Sequence, residues 1–407
     1  MLHRTLSALS RPWRAPLPPL FTWSFAGWAC LVFAAVRIPA VLWIAMRVPA
    51  RYASLGDLLS AWDGQWFAQI AAGGYDPHAR GSAAVDLVFA FFPGYPGVVA
   101  AVQQVTGVSF VPAALTVSIL ASLGCAICVA EMGALTALTV WSRRATAEDD
   151  DSLLPLTADL VRRARQAGLI MVALFAGSPM AVVLTMTYTE ALFCVLAAAA
   201  MVHMMRGRWL TAGVIVLLAG LVRPNAVALF LTLGLCALAN YRQWRVWVAT
   251  FIAPLGWLGY LAYVQHHLVR YHSWFEVQNR AWHSTFDFGQ ATLRDIGRVL
   301  TTDTYPTYQL AVLIIVATVL LCLYAVRSSV PWPLTVYGLA VVASVLLSDG
   351  VTASRPRLLT PAFTLYLPVA LTIARLPRSV RVVAVSAWVV FGMYVGMHMM
   401  TVWPYPI

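Results

Sequence analysis

Apolar runs of bilayer-spanning character alternate with short polar connections along almost the whole chain. The first covers Phe21–Ala45, interrupted by Arg37 and Pro39. Later runs fall at Val111–Val140, Leu169–Thr187, Ala191–Met205, Leu210–Val222, Ala226–Leu238, Val246–Val264, Leu310–Val326, Leu334–Leu347, Leu358–Ile373 and Val382–Met400. A membrane-crossing helix needs about 20 mostly apolar residues, so the pattern predicts an all-α polytopic membrane protein with about 11 transmembrane helices. One integral membrane domain then covers residues 1–407. A further run, Phe89–Val105, is broken by Pro93 and Pro96 and reads as a re-entrant or interfacial segment, which non-helical backbone permits where protein or a wet cavity covers it.

Composition fits this pattern. The chain is 61% hydrophobic and 11% charged, with a mean hydropathy of +0.77, far from the roughly 25% charged residues of a soluble domain. The formal charge of +11 comes from arginine alone, since no lysine occurs. Arginines in short loops orient membrane helices, so no nucleic-acid partner is implied. The N-terminal basic stretch followed by a long apolar run is expected to be a retained anchor rather than a cleaved signal peptide. The six cysteines lie in apolar runs. Cys125 and Cys128 form a single CxxC with no second pair, which reads as packed thiols rather than a metal or redox site.

Arginine also sets sidedness. The N-terminus, the 141–167 loop, Arg206 with Arg208, Arg242 with Arg245, Arg327, and Arg375 with Arg378 and Arg381 form one cytoplasmic set. Two long polar loops, 47–86 and 265–307, then face outward together with Tyr188-Thr189-Glu190, Arg223-Pro224-Asn225 and Arg355 with Arg357. Ionisable side chains at the ends of apolar runs are costly and point to function. Glu131, alone inside a run, is expected to face the bundle and pair with a polar neighbour.

The first outer loop contains SAWDGQWFAQIAAGGY, Ser60 to Tyr75. Read as one helix over 57–72, it carries Leu58, Leu59, Trp62, Trp66, Phe67 and Ile70 on one side, with Asp63 inside that apolar arc. Such a helix would lie in the interface with its tryptophans at headgroup depth. Asp63 is then either an ion-pair partner of Arg37 or Arg51, a helix cap, or a general base at the water–lipid boundary.

Trp62-Asp63 with Phe67, Ile70-Ala71 and Gly74-Tyr75, followed by Phe91-Phe92-Pro93-Gly94-Tyr95-Pro96, resembles the signature of the PIG-V mannosyltransferases of the GT-C superfamily. The resemblance continues in order through Ser178-Pro179, Tyr188-Thr189-Glu190-Ala191-Leu192-Phe193, Arg208-Trp209, Gly220-Leu221-Val222-Arg223-Pro224-Asn225 and Phe275-Glu276-Val277-Gln278 with Trp282. It reaches Ser354-Arg355-Pro356-Arg357 more loosely. It departs at Trp66, and in the length between Gly74 and Phe91, where His78 and Arg80 lie.

This resemblance implies a GT-C-type bundle and an inverting α-mannosyltransferase working on the outer face. Mannose would pass from polyprenyl-phosphate mannose to a hydroxyl of a lipid-linked or cell-envelope glycan acceptor, with membrane lipid around the site. It implies Asp63 as catalytic base. Arg223, Arg355 and Arg357 are the candidates to meet the donor phosphate, since a guanidinium forks onto phosphate oxygens and stays charged. Trp62, Trp66, Tyr75, Tyr188, Glu190, Asn225, Gln278 and Trp282 are the candidates to hold sugar or acceptor. Arginines that neutralise the phosphate leave no need for a metal or other cofactor, and His266, His267 and His272 lack the carboxylates of a metal site. Arginine and alanine richness without lysine fits a high-GC bacterial source and a plasma-membrane location, with the endoplasmic reticulum as the alternative. A transporter or flippase, or a non-catalytic subunit of a glycosylation complex, are the rival classes.

Overall fold

The computed structural model describes residues 20–75, 86–148 and 157–407, with only the backbone for 143–148. His78 and Arg80, the N-terminal basic flank and the acidic run's Asp149–Asp151 lie outside these residues. Among the described residues every regular element is a helix, apart from one isolated bridge between Phe286 and Ser348.

Among the described residues five helices, or helix pairs, are long and apolar enough to cross a membrane. They are α1 (Trp23–Ala45), the apolar part of α5 (Phe110–Glu148), α10 (Trp244–Ile252) running into α11 (Leu255–His267), α14 (Pro306–Arg327) and α18 (Arg378–Thr401). Between them stand α6 (Ala158–Ala176), α7 (Glu190–Met205), α8 (Trp209–Gly220), α9 (Val227–Ala239), α15 (Trp332–Leu346) and α17 (Leu367–Ile373). Small residues bring these helices together, as membrane packing requires. Gly133 of α5 faces Gly168 of α6, and Gly213 of α8 faces Ala249 of α10, with no room for an added Cβ at either place.

The run expected to be continuous over Leu169–Thr187 is not. α6 stops at Ala176, ahead of Pro179 and of Met180, whose φ of 65° lies in the left-handed region. A 3-10 turn, Ala181–Thr185, then carries the chain back to the start of α7. This break delivers Tyr188, Thr189 and Glu190 to one end of the bundle. The other end of α7 carries Arg206, which pairs with Glu131 of α5, so the isolated acid does find a polar partner there.

Around the first end lie the short elements. They are α2 (Leu55–Leu59), α3 (Asp63–Gly73), a 3-10 turn Leu87–Ala90, α4 (Gly94–Thr106), α12 (Trp274–Trp282), α13 (Gln290–Thr301) and α16 (Arg355–Leu358). The Phe89–Val105 run is thus a 3-10 turn, a proline-bearing break and α4. At about 1.5 Å per residue α4 is roughly 20 Å long, short of the roughly 30 Å hydrocarbon core. Gly94 locks its start, since the Gly94 amide donates to Leu221 O at 2.7 Å. An added Cβ there would lie 2.8 Å from that same oxygen.

Two carboxylates of the long polar loops act on backbone. Asp86 is buried and accepts from the amides of Val269, Arg270 and Tyr271 at 3.0, 2.7 and 2.8 Å, joining the first long loop to the second. Asp287 caps the start of α13 through Gly289 N at 2.9 Å and Ala291 N at 2.6 Å. α12 opens on a capping arrangement: Ser273 Oγ accepts from Glu276 N, and the Glu276 carboxylate accepts from His272 N. α13 itself is inverted relative to a soluble amphipathic helix. It buries Thr292 and Asp295 and leaves Leu293 and Leu300 71% and 76% exposed.

Candidate active site

The helix expected over 57–72 is two helices. α2 ends at Leu59, and α3 starts at Asp63. Between them Trp62 adopts φ 57° and ψ −110°, a conformation that costs a bulky L-residue on the order of 1–3 kcal/mol. Asp63 is therefore not a mid-helix residue on an apolar arc. It is the first residue of a helix, where a carboxylate is favoured by the unpaired amides. Trp62 and Trp66 no longer share one helix face. Close packing holds the break in place, because a Cβ at Gly64 would lie 2.5 Å from Thr187 Oγ1.

The partner of Asp63 is neither Arg37 nor Arg51. Arg37 donates to Thr185 Oγ1, and Arg51 donates to Trp403 O. Arg357 instead donates to Asp63 Oδ2 at 2.6 Å. From there charge alternates along a row. Arg357 Nε is 3.7 Å from Glu190 Oε1, which is 2.7 Å from Arg223 Nη1. Arg223 also donates to Thr189 Oγ1 at 2.8 Å. Glu190 is 1% exposed, whereas the Asp63 side chain remains 24% exposed.

That exposure faces a cavity of about 570 Å³, whose wall holds Asp63, Arg223, Asn225, Gln278, Trp282, Arg355 and Arg357. A smaller cavity of about 100 Å³ is also lined by Asp63 and reaches Glu190 and Thr189. Arg355 and Arg357, two residues apart in sequence, belong to different partners. Arg355 donates to Thr292 Oγ1 and Ser348 O and lies 3.9 Å from Asp295. It forms the far wall, fixed by α13.

The other expected sugar contacts divide. Trp282 stands edge-on to Phe91 with ring centroids 5.5 Å apart, and Trp66 stacks on the same ring at 5.5 Å. Gln278 Nε2 donates to Ala90 O, and Asn225 Nδ2 reaches Ser344 Oγ at 3.4 Å. Tyr75 and Tyr188 do not face either cavity. Tyr75 donates to Phe91 O at 2.6 Å and packs on Phe89 and Tyr260, so its hydroxyl is used in holding the Phe91 strand of chain. Tyr188 is buried under Arg357, whose Cζ is 5.0 Å from the ring centroid. Trp62 and Trp66 are likewise absent from the cavity walls. Asp295 and Asp86 were not singled out by sequence. The alternation of Thr292 and Asp295 with exposed leucines on α13 was the available signal for the first. His267 stacks on Tyr263, and no group of three His, Cys, Asp or Glu gathers among the described residues.

Residues 44–243 match the family model Mannosyltransferase (PIG-V). Among solved structures, ArnT from Cupriavidus metallidurans bound to undecaprenyl phosphate superposes with a TM-score of 0.51 at 12% identity, over 89% of this chain and 63% of that one. The matched region is just under half of the chain, and the likeness to ArnT is one of fold. The apo structure of the same ArnT gives a TM-score of 0.47 at 14% identity, over 88% and 62% of the two chains. This chain therefore spans less than two thirds of the length of the ArnT chain. No curated protein matches it. The matched region holds Asp63, Glu190 and Arg223, while Arg355, Arg357 and α12 come from beyond it.

Proposed function

We propose that the protein is an inverting membrane glycosyltransferase that moves mannose from polyprenyl-phosphate mannose to a hydroxyl of a lipid-linked or cell-envelope glycan acceptor, with Asp63 as general base. One observation carries this reading: Asp63 is the accessible carboxylate of a charge row whose arginines line the same cavity. The family match supports the reaction class and the donor sugar. The undecaprenyl phosphate held by ArnT supports a lipid phosphate as the carrier.

In this reading the acceptor hydroxyl attacks the anomeric carbon, and its proton goes to Asp63. The bond from that carbon to the phosphate oxygen breaks with its electron pair on the phosphate. Arg357 and Arg223 meet the charge that develops there. They do so as planar donors already fixed by carboxylates, so little reorganisation accompanies the step. A general base contributes about 10²–10⁴-fold. Glu190 has no comparable access and serves to hold the two guanidinia. No divalent ion is required, because the arginines provide the positive charge. The site would face the outside of a bacterial plasma membrane.

The test is transfer by purified protein from polyprenyl-phosphate mannose to a cell-envelope lipid extract, with and without EDTA. Asp63→Asn and Asp63→Ala are expected to lose at least about 100-fold in rate, and EDTA to change nothing. Full activity in both variants overturns the base assignment. A β-linked product from a β-linked donor overturns inversion, and loss in EDTA with rescue by Mn²⁺ overturns metal independence.

A further inference from the structure

The residue before the proposed base is the most strained one in the site. Trp62 has no glycine's freedom at φ 57°, yet it must keep that conformation for Asp63 to start α3 where it does. The chain segment 187–188 supplies the restraint. Thr187 N donates to Leu59 O at 3.0 Å, on the α2 side of the turn. Tyr188 Oη donates to Ala61 O at 3.1 Å and itself accepts from Asp63 N at 3.4 Å, so one phenol spans the turn from both sides. The Tyr188 ring is 1% exposed, in edge contact with Phe67 of α3. Its face is the seat of the Arg357 guanidinium.

We propose that Tyr188 is a positioning residue for the transfer step: its hydroxyl fixes the strained Trp62 turn that aims Asp63, and its ring separately seats Arg357. The proposal rests on the reading of Asp63 as base. The two halves of the side chain thus serve the two charged groups independently. A buried phenol without access to either cavity contributes to rate through Asp63 and not through substrate contact.

Steady-state kinetics separate these roles. Tyr188→Phe keeps the ring and removes the hydroxyl. It is expected to lower kcat by about 10- to 100-fold, the scale of a misplacement of about 1 Å, with KM for the donor unchanged. Tyr188→Leu removes the seat as well and is expected to raise that KM too. In an Asp63→Asn background Tyr188→Phe is expected to have no further effect, because the group it aims is gone. An unchanged kcat in Tyr188→Phe, a change in KM alone, or an equal loss in the Asp63→Asn background each overturns the proposal. If Tyr188→Phe does not accumulate as folded protein, it is read in a Trp62→Gly background, where glycine accepts the positive φ but is not held to it without the hydroxyl; a kcat equal to that of Trp62→Gly alone overturns the proposal. An active Tyr188→Phe protein beside an inactive Asp63→Asn protein sinks this proposal only. A fully active Asp63→Asn protein sinks the base reading and this proposal together.

Discussion

The guanidinium of Arg357 lies 2.6 Å from the carboxylate of Asp63, a hydrogen bond that joins residues 294 positions apart in the chain. It closes the site by linking the 47–86 loop to α16, and it places the proposed base beside a proposed phosphate-binding cation. Arg357→Lys is expected to keep the charge but lose the fork that reaches Asp63 and Glu190 together. Steady-state kinetics should show a raised KM for the donor and a kcat reduced by about tenfold or more, the scale of one charge-assisted hydrogen bond. Wild-type kinetics in Arg357→Lys would show that a point charge suffices.

Glu190 and Glu131 are both acids in α-helices of the bundle with arginine partners, but they differ in enclosure. Glu190 stands between Arg223 and Arg357 at 1% exposure, so Glu190→Ala leaves two buried cations short of a partner. Such a loss costs about 3–5 kcal/mol and should appear as a large drop in the thermal midpoint. Glu131 and Arg206 are 13% and 15% exposed at the opposite end of α7. Glu131→Ala should destabilise less and leave activity per folded molecule intact. Equal effects from the two variants would contradict this ranking.

Asp86 controls the second loop by backbone alone. With its carboxylate removed in Asp86→Ala, three amides at 269–271 lose their acceptor. Hydrogen exchange at those amides is expected to accelerate. α12 follows within the same loop and carries Phe275, Gln278 and Trp282 into the cavity wall, so the KM for substrate should rise in the same variant. Unchanged exchange would show that the loop is held by other means.

Acid should loosen α13. The amide of Ala291, with that of Gly289, holds the Asp287 carboxyl below its usual range. Because the folded value is depressed, the cap's contribution is present above the unfolded value of about 3.9 and is lost as pH falls through the folded one. Protection of the Gly289 and Ala291 amides, taken relative to the intrinsic exchange rate at each pH, should therefore fall across that acidic window, and Asp287→Ala should show the lowered protection already at neutral pH. Protection unchanged with pH at both amides would exclude the cap as the cause.

The helical bundle was legible because twenty-residue apolar runs have few other uses, and the WD block and its ordered successors pointed to Asp63 directly. The break before Asp63 was not legible. Ser60-Ala61-Trp62 contains neither glycine nor proline, and only the tertiary clamp from Thr187 and Tyr188 makes it stable. Sequence also treated Tyr75 and Tyr188 as sugar contacts, since an aromatic near an outer acid has the same letter whether it lines a cavity or braces its wall. The separation of Arg355 from Arg357 had the same obstacle: two arginines flanking a proline look equivalent until Asp295 and Asp63 claim one each.

The alternating row of Asp63, Arg357, Glu190 and Arg223 sums to zero formal charge. A neutral row projects little field beyond its own length, so it does not gather anions from the surrounding water. In the proposed reaction an arriving phosphate must instead compete at contact range for guanidinia that already have partners. Such a site chooses its ligand by fit, and a buried contact of that kind is only weakly screened by added salt.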